Sequence, residues 1–320
     1  MESESKQVIL LFEKLVAIKI PLAKTVRDYL GFMESTRNAS FNTVVSYGRA
    51  LLYFVRYCQC HQIGRVEQVN PKTIFAYFSE LKKQGKSGST IHQRFEAIKM
   101  MVKYATLEGI QNKNFARISC IRPPKQKSRL PNVLTVEQVA KLLDIPSAKY
   151  EYKLRLRDIA VMELLYGAGL REAELSDLKV DNIDLVSGIV KVCGKGAKER
   201  LVPITKVASR AIETYINNER LWQLKAGKSC GRLFLTRSGR PLYRHDVWRI
   251  VSKYSKLSGV KNVSPHILRH CYATHLLMAG VDIRLIQVAL GHSSIRTTQV
   301  YTHVDVTQLK KAIEEHHPRA

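Results

Sequence analysis

Between Ser264 and His303 the stretches SPHILRHCYATHLL and LGHSSIRTTQVYTH place His266, Arg269, His292 and Tyr301 close together in the chain. The imidazoles can carry a proton at neutral pH, the guanidinium can pair with phosphate oxygens, and the phenol can act as a nucleophile. Such a set suits holding and attacking a phosphate diester. Ser264-Pro265 is a helix start, a capping serine followed by proline at the first helical position. His266 then falls in the first turn, where free N–H groups and the helix dipole favour an anion. Arg269 is three residues further on and projects from the same face, so both can reach one phosphate.

The same helix offers a competing chemistry. His266 and His270 are four apart, as in the zinc motif H-E-x-x-H, but the second position is Ile267 and the carboxylate that would serve as general base is absent. No metal and no cofactor are therefore expected, and His270 and His275 read as packed or capping histidines. Two upstream residues extend the phosphate reading. Arg171 follows the break Gly167-Ala-Gly169 at the start of REAELSDL; it is either a surface arginine paired with Glu172 or Glu174, or one whose glycines permit close backbone approach to a bound group. Lys195 lies between Gly194 and Gly196 on an expected hairpin turn, without the Lys-Ser/Thr ending or the following helix of a P-loop. Alone it would read as an exposed turn lysine; flanking glycines let it swing towards a substrate.

The chain must position these groups, and its 320 residues are enough for two domains, each with its own core. Lys plus Arg number 52 against 27 Asp plus Glu, a net charge of +25 that points to a polyanion, with nucleic acid ahead of an anionic membrane surface. The N-terminal run QVILLFEKLVAIKI is too charged for a signal peptide or a membrane span, and Val8, Leu11, Phe12, Leu15 and Val16 have helical spacing, so residues 1–21 form an added helix. Residues 22–121 read as four helices: 24–35, one from a Ser40 cap, one opened by Asn70-Pro71 and ending near Gly85, and one from about Ser89 to Leu107. Lys82, Lys83, Lys86, Arg94 and Lys99 give this bundle a phosphate-contacting surface.

Residues 122–131, RPPKQKSRLP, form a basic, proline-rich linker, and Lys125, Lys127 and Arg129 join the DNA-contacting set. The second domain, 132–320, opens with a Thr135/Gln138 capping box for a helix through Leu143, followed by a helix over 153–166. NIDLVSGIVKVCGKGAKERLVPI reads as three short antiparallel strands turning near Ser187-Gly188 and at Gly194-Lys195-Gly196; helices follow to the end. The six cysteines have no disulfide-framework spacing and read as reduced thiols of a cytosolic protein.

GAGLREAEL, GKGAKERLVPI, SPHILRH, LGHSS and YTH, in that order, closely resemble the tyrosine recombinases (lambda-integrase family), most nearly the bacterial Xer recombinases, as does the terminal HHPRA. The resemblance implies a mainly α fold: an N-terminal four-helix core-binding (SAM-like) domain and a mixed α/β catalytic domain with a small antiparallel sheet. It assigns Arg171 and Arg269 to the non-bridging oxygens of the scissile phosphate and Lys195 to protonating the leaving 5′ oxygen. His266 takes or steadies the nucleophile's proton, His292 hydrogen-bonds the phosphate, and Tyr301 forms a 3′-phosphotyrosine. It further implies a homotetramer, or a heterotetramer with a second recombinase, closing clamp-like on a double-stranded recombination site through Holliday junctions. The tail from about Val306 to His316 would dock on a neighbouring subunit, a DNA-translocating motor is a candidate activator, and the location is cytoplasmic, on the nucleoid, without membrane. Departures from the family pattern are Glu172 and Ala173 beside Arg171 and the N-terminal extension. Competing functions are a type IB topoisomerase, a non-catalytic DNA-binding protein, and a metal-dependent nuclease that EDTA would silence.

Overall fold

The computed structural model describes residues 2–35, 39–110, 112–123, 133–148, 153–194, 199–226, 231–291 and 303–320. Lys125, Lys127, Arg129, Lys195, His292 and Tyr301 lie outside the described residues. The chain divides into two compact units, Met1–Arg129 and Leu130–Ala320.

The first unit is a helical bundle, and its helices begin where short polar side chains satisfy the free N–H groups of a first turn. The elements are α1 (Glu2–Val16), α2 (Pro21–Ser35), α3 (Phe41–Cys60), α4 (Pro71–Lys83), α5 (Gly88–Leu107) and α6 (Phe115–Ser119). Ser40 caps α3 by accepting from Thr43 N at 3.4 Å, and Asn70 caps α4 by accepting from Thr73 N at 3.1 Å. The cap of α5 is Ser87, two residues before the expected start, accepting from Thr90 N at 3.3 Å. Leu22, Val26, Leu30, Leu51, Phe54, Ile74, Phe95, Ile98 and Val102 fill one core. Full burial of such side chains stabilises by roughly 1.5–3 kcal/mol each.

Two features go beyond the four helices expected. Leu11 and Leu15 of α1 are buried in the same core, so the N-terminal segment is an integral helix of the bundle rather than an appendage. The short α6 packs on α4 and α5 and buries Ile118.

The second unit contains α7 (Val136–Ala148), α8 (Arg155–Gly167), α9 (Glu172–Asp177), β1 (Ile183–Asp184), β2 (Ile189–Cys193) and β3 (Glu199–Pro203). It continues with α10 (Lys206–Asn217), α11 (Glu219–Ala226), α12 (Arg244–Ser258), α13 (Pro265–Met278), α14 (Ile283–Leu290) and α15 (His303–His316). The Thr135/Gln138 box is closed at 3.0 and 3.3 Å, and α7 runs on past Leu143. Helix α8 is buried along almost its whole length, and Val161, Leu164 and Leu165 anchor a core shared by α7, α10 and α13. Its first-turn N–H groups are satisfied from far away in sequence: the Glu219 carboxylate accepts from Leu156 N at 2.7 Å and Arg157 N at 3.0 Å.

The sheet is antiparallel in the order β1-β2-β3, with Val190 opposite Val202 and Val192 opposite Arg200. Period-two alternation turns these four residues to the buried face.

In the single chain, helix α15, the segment expected to dock on a neighbouring subunit, packs on β3 and α14 of its own unit. Val306, Leu309 and Ile313 form its buried stripe, and Lys310 Nζ donates to Ser187 O at 2.8 Å. Beyond the helix, Arg319 pairs with Glu163 and, at 2.8 Å, with Asp144. Leu309 and Ile313 of that stripe join the core of the unit. Among the described residues no helix is long and apolar enough to cross a membrane.

Candidate active site

Helix α9 begins at Arg171, whose backbone N–H is accepted by Glu174 Oε2 at 2.9 Å, the N3 half of a capping box. The same carboxylate does more than cap. Its Oε1 accepts from Arg171 Nη1 at 2.7 Å and from Arg200 Nη1 at 2.7 Å, and its Oε2 accepts from Arg200 Nη2 at 2.9 Å. Arg269 Nη1, arriving from α13, is 3.8 Å from Oε2. One buried carboxylate thus joins three guanidiniums from α9, β3 and α13.

A lone carboxylate in this position would resist ionisation. Burial works to raise the Glu174 carboxyl, but the Arg200 hydrogen bonds and charge, followed by the Arg171 hydrogen bonds, outweigh it and hold the group below its ordinary value. Arg269 is pushed down to about 10 by burial first and by the Arg171 charge second, so it stays charged at neutral pH. Three guanidiniums around one carboxylate leave two positive charges in excess, an environment made for an anion.

The arginines also share a second set of partners. Arg200 Nε donates to Ala289 O at 2.9 Å, Arg269 Nη2 to Leu290 O at 2.5 Å, and Arg171 Nη2 to Gly291 O at 3.3 Å. These are three successive carbonyls at the C-terminal end of α14, where unpaired acceptors and the helix dipole attract cations. Gly291 caps that end at φ +61°, and a Cβ there would lie 3.1 Å from the Arg200 guanidinium. The chain leaves this turn towards His292.

Gly169 brings α13 close. Its φ is +57°, a Cβ would lie 2.5 Å from Tyr272 Cδ1, and its carbonyl accepts from Arg269 Nη1 at 2.6 Å. The close approach seen here is to α13, which seats Arg269. Ser264 caps α13 by accepting from Ile267 N at 3.2 Å, and His266 is exposed on the first turn, three residues before the buried Arg269. His275 is a packed histidine: Nδ1 is 2.8 Å from Tyr166 Oη and Nε2 is 2.8 Å from Leu134 O.

The structure therefore brings together Arg171 and Arg269 and places His266 on the helix of the latter. Strands β2 and β3 lead to and from Lys195, with Lys191 and Glu199 paired across the ladder at 2.7 Å. In the bundle, Lys82, Lys83 and Lys86 are exposed at and beyond the end of α4. Arg94 is more constrained, donating to Tyr77 Oη at 3.1 Å with its guanidinium 4.3 Å above the Tyr53 ring. Lys99 pairs with Glu96 at 3.1 Å.

Sequence reasoning treated Glu174 only as a surface partner and passed over Arg200. A signal existed for both. The spacing Arg171-x-x-Glu174 is that of a capping box, and alternation with Val202 puts Arg200 on the buried face of β3.

Comparisons with known proteins agree with this architecture. Residues 132–308 match the Phage integrase family and residues 26–109 match the "Phage integrase, N-terminal SAM-like domain". The chain is 37% identical over 296 residues to "Tyrosine recombinase XerD" of Staphylococcus haemolyticus, covering 92% of this chain and 99% of the relative. It is also 37% identical over 302 residues to "Tyrosine recombinase XerD" of Chlorobaculum tepidum, covering 93% and 98%. Its fold is similar to that of XerH site-specific recombinase bound to a palindromic difH substrate in a post-cleavage complex, with a TM-score of 0.68, 22% identity and coverage of 94% and 92%. It is likewise similar to a lambda integrase(75–356) dimer bound to a COC' core site, with a TM-score of 0.66, 19% identity and coverage of 88% and 98%. The chain belongs to the phage integrase family of tyrosine recombinases and is a site-specific recombinase of the Xer type.

Proposed function

We propose that Arg171, Lys195, His266, Arg269, His292 and Tyr301 form one active site that cleaves and rejoins DNA through a 3′-phosphotyrosine intermediate. The observation that carries this reading is the convergence of Arg171 and Arg269 on Glu174 beside the turn that leads to His292. Tyr301 Oη attacks the scissile phosphorus, a P–O bond to tyrosine forms, and the bond to the 5′ oxygen breaks. His266 takes the phenol proton, and Lys195 gives one to the leaving 5′ oxygen. Arg171 and Arg269 neutralise the charge that builds on the non-bridging oxygens, and His292 donates a hydrogen bond to it. The covalent bond conserves the phosphodiester energy, so a 5′ hydroxyl from another duplex reverses the step without ATP.

The substrate is a double-stranded recombination site, gripped through phosphates by Lys82, Lys83, Lys86, Arg94 and Lys99, together with Lys125, Lys127 and Arg129 of the linker, segment 122–131, between domains 22–121 and 132–320. Two duplexes are exchanged by a tetramer, of this chain alone or with a second recombinase, through a Holliday junction, in chromosome-dimer resolution or movement of a mobile element. The location is the cytoplasm, on the nucleoid, with a DNA-translocating motor as activator. Supporting this are the structural neighbours, recombinases solved with DNA sites, and the curated relatives, which are tyrosine recombinases by name. A nicked suicide duplex tests the core of the reading: wild type should accumulate a covalent protein–DNA adduct and Tyr301→Phe should form none. An adduct that persists in the Phe variant assigns the nucleophile elsewhere.

A further inference from the structure

Arg200 makes more use of its guanidinium than either arginine assigned to the phosphate. Nε is spent on Ala289 O, and both terminal nitrogens are spent on Glu174 in the parallel fork that suits a carboxylate. Its side chain is 6% exposed, against 38% for Arg171. Substrate cannot readily reach it, so a direct contact with DNA is not its task.

Its partners indicate what the task is. Glu174 is simultaneously the cap of the Arg171 helix, the ion-pair partner of Arg171 and the acid nearest Arg269. Ala289 O is the first of the three α14 carbonyls whose other two are held by Arg269 and Arg171. Arg200 also sits on β3, the strand that returns from Lys195. If its only purpose were to balance a buried acid, a well-packed apolar pair would serve stability as well. An apolar pair would keep the excess of two charges but leave Arg171 and Arg269 without a shared, fixed carboxylate, so what the Arg200–Glu174 pair adds is geometry.

We infer that Arg200 is a positioning residue for DNA cleavage: its fork orients Glu174, and through it Arg171 and Arg269, while its Nε–H fixes the end of α14 from which the chain runs to His292. The inference rests on the reading of Arg171, Arg269 and Tyr301 given above. Gly291 is the complement of this arrangement, because any side chain there would press on the Arg200 guanidinium.

The test uses full-length protein in excess over a nicked suicide duplex carrying the site that wild type selects from a random library. Single-turnover adduct formation, DNA affinity and thermal melting are measured for Arg200→Met, Arg200→Lys, Glu174→Gln and the double variant Arg200→Met/Glu174→Gln. Arg200→Met should slow adduct formation on the order of a hundredfold, with DNA affinity within about twofold of wild type. Arg200→Lys, which keeps the charge but not the fork, should slow it roughly tenfold and serves as the test where the Met variant melts too early. The double variant should be no slower than the slower single one, because both changes break one linkage.

Wild-type rates in the Arg200 variants, or losses that multiply in the double variant, would overturn the inference. Tyr301→Phe run alongside separates the two claims. An adduct in that variant refutes the active-site reading itself, whereas its loss together with wild-type cleavage by Arg200→Met refutes only the role of Arg200.

Discussion

In the catalytic unit Arg171, Arg200 and Arg269 converge on one carboxylate and three helix-end carbonyls, whereas at the end of α4 Lys82, Lys83 and Lys86 stand exposed around a turn. Both groups are cationic, and Arg171 and Arg269 of the first and the three lysines of the second are proposed to meet DNA phosphate, yet the physics of each is different. A charge removed from water needs compensation at close range, and the groups that compensate it also fix its position. A charge left in water needs none; it remains mobile and screened, and adds attraction without geometry. In the function proposed above, the carboxylate-held set aims at one phosphorus atom and the exposed set holds a duplex.

The largest effect that separates the two should come from Glu174→Leu. Arg200 and Arg269 would be left buried without their acid, and the expected loss is about 3–5 kcal/mol of stability, a fall in melting temperature of roughly 10 °C for a unit of this size. A Leu variant that melts like wild type would show that the guanidiniums are not held as described. Acid gives an intermediate effect. The Glu174 carboxyl lies below its ordinary value in the folded state, so its contribution is complete above the unfolded carboxylate value near ~4.3 and disappears as pH falls through the lower folded value. Melting temperatures measured from pH 7 down to pH 3 should accordingly fall less steeply below pH 5 in Glu174→Gln than in wild type; equal slopes would remove Glu174 from the acid transition.

The smallest effect on folding belongs to the exposed set. Changing Lys82, Lys83 and Lys86 together to Gln should shift stability by less than about 0.5 kcal/mol per site. The same change should lower the slope of log affinity against log salt by up to roughly 0.9 for each phosphate that is no longer neutralised. A marked drop in melting temperature, or an unchanged salt slope, would place these lysines in the fold and not at the duplex.

Much of the fold could be read from local rules. Ser40, Asn70-Pro71 and Ser264-Pro265 announced helix starts because capping is chemistry within three or four residues, and the strands around Ser187-Gly188 announced themselves by alternation. The N-terminal segment was legible as a helix but not as part of the bundle, since nothing in its own spacing says that Leu11 and Leu15 have a place in that core. The tail shows the same limit. Its amphipathic stripe was visible, and whether the stripe faces a neighbour or its own unit is a property of the surface that receives it.

The sequence by itself determined the two-unit plan and the cationic character and supplied the ordered residues proposed for phosphate chemistry, because residue type, short spacing and net charge need no third dimension. Only the tertiary structure decided how the arginines are held. Glu174 lies 26 positions from Arg200, and Arg269 reaches back 100 positions to Gly169, so the partners that fix each guanidinium meet only when α9, β3, α13 and the end of α14 pack together. Burial then makes the pairing obligatory, and the pairing gives the site its geometry.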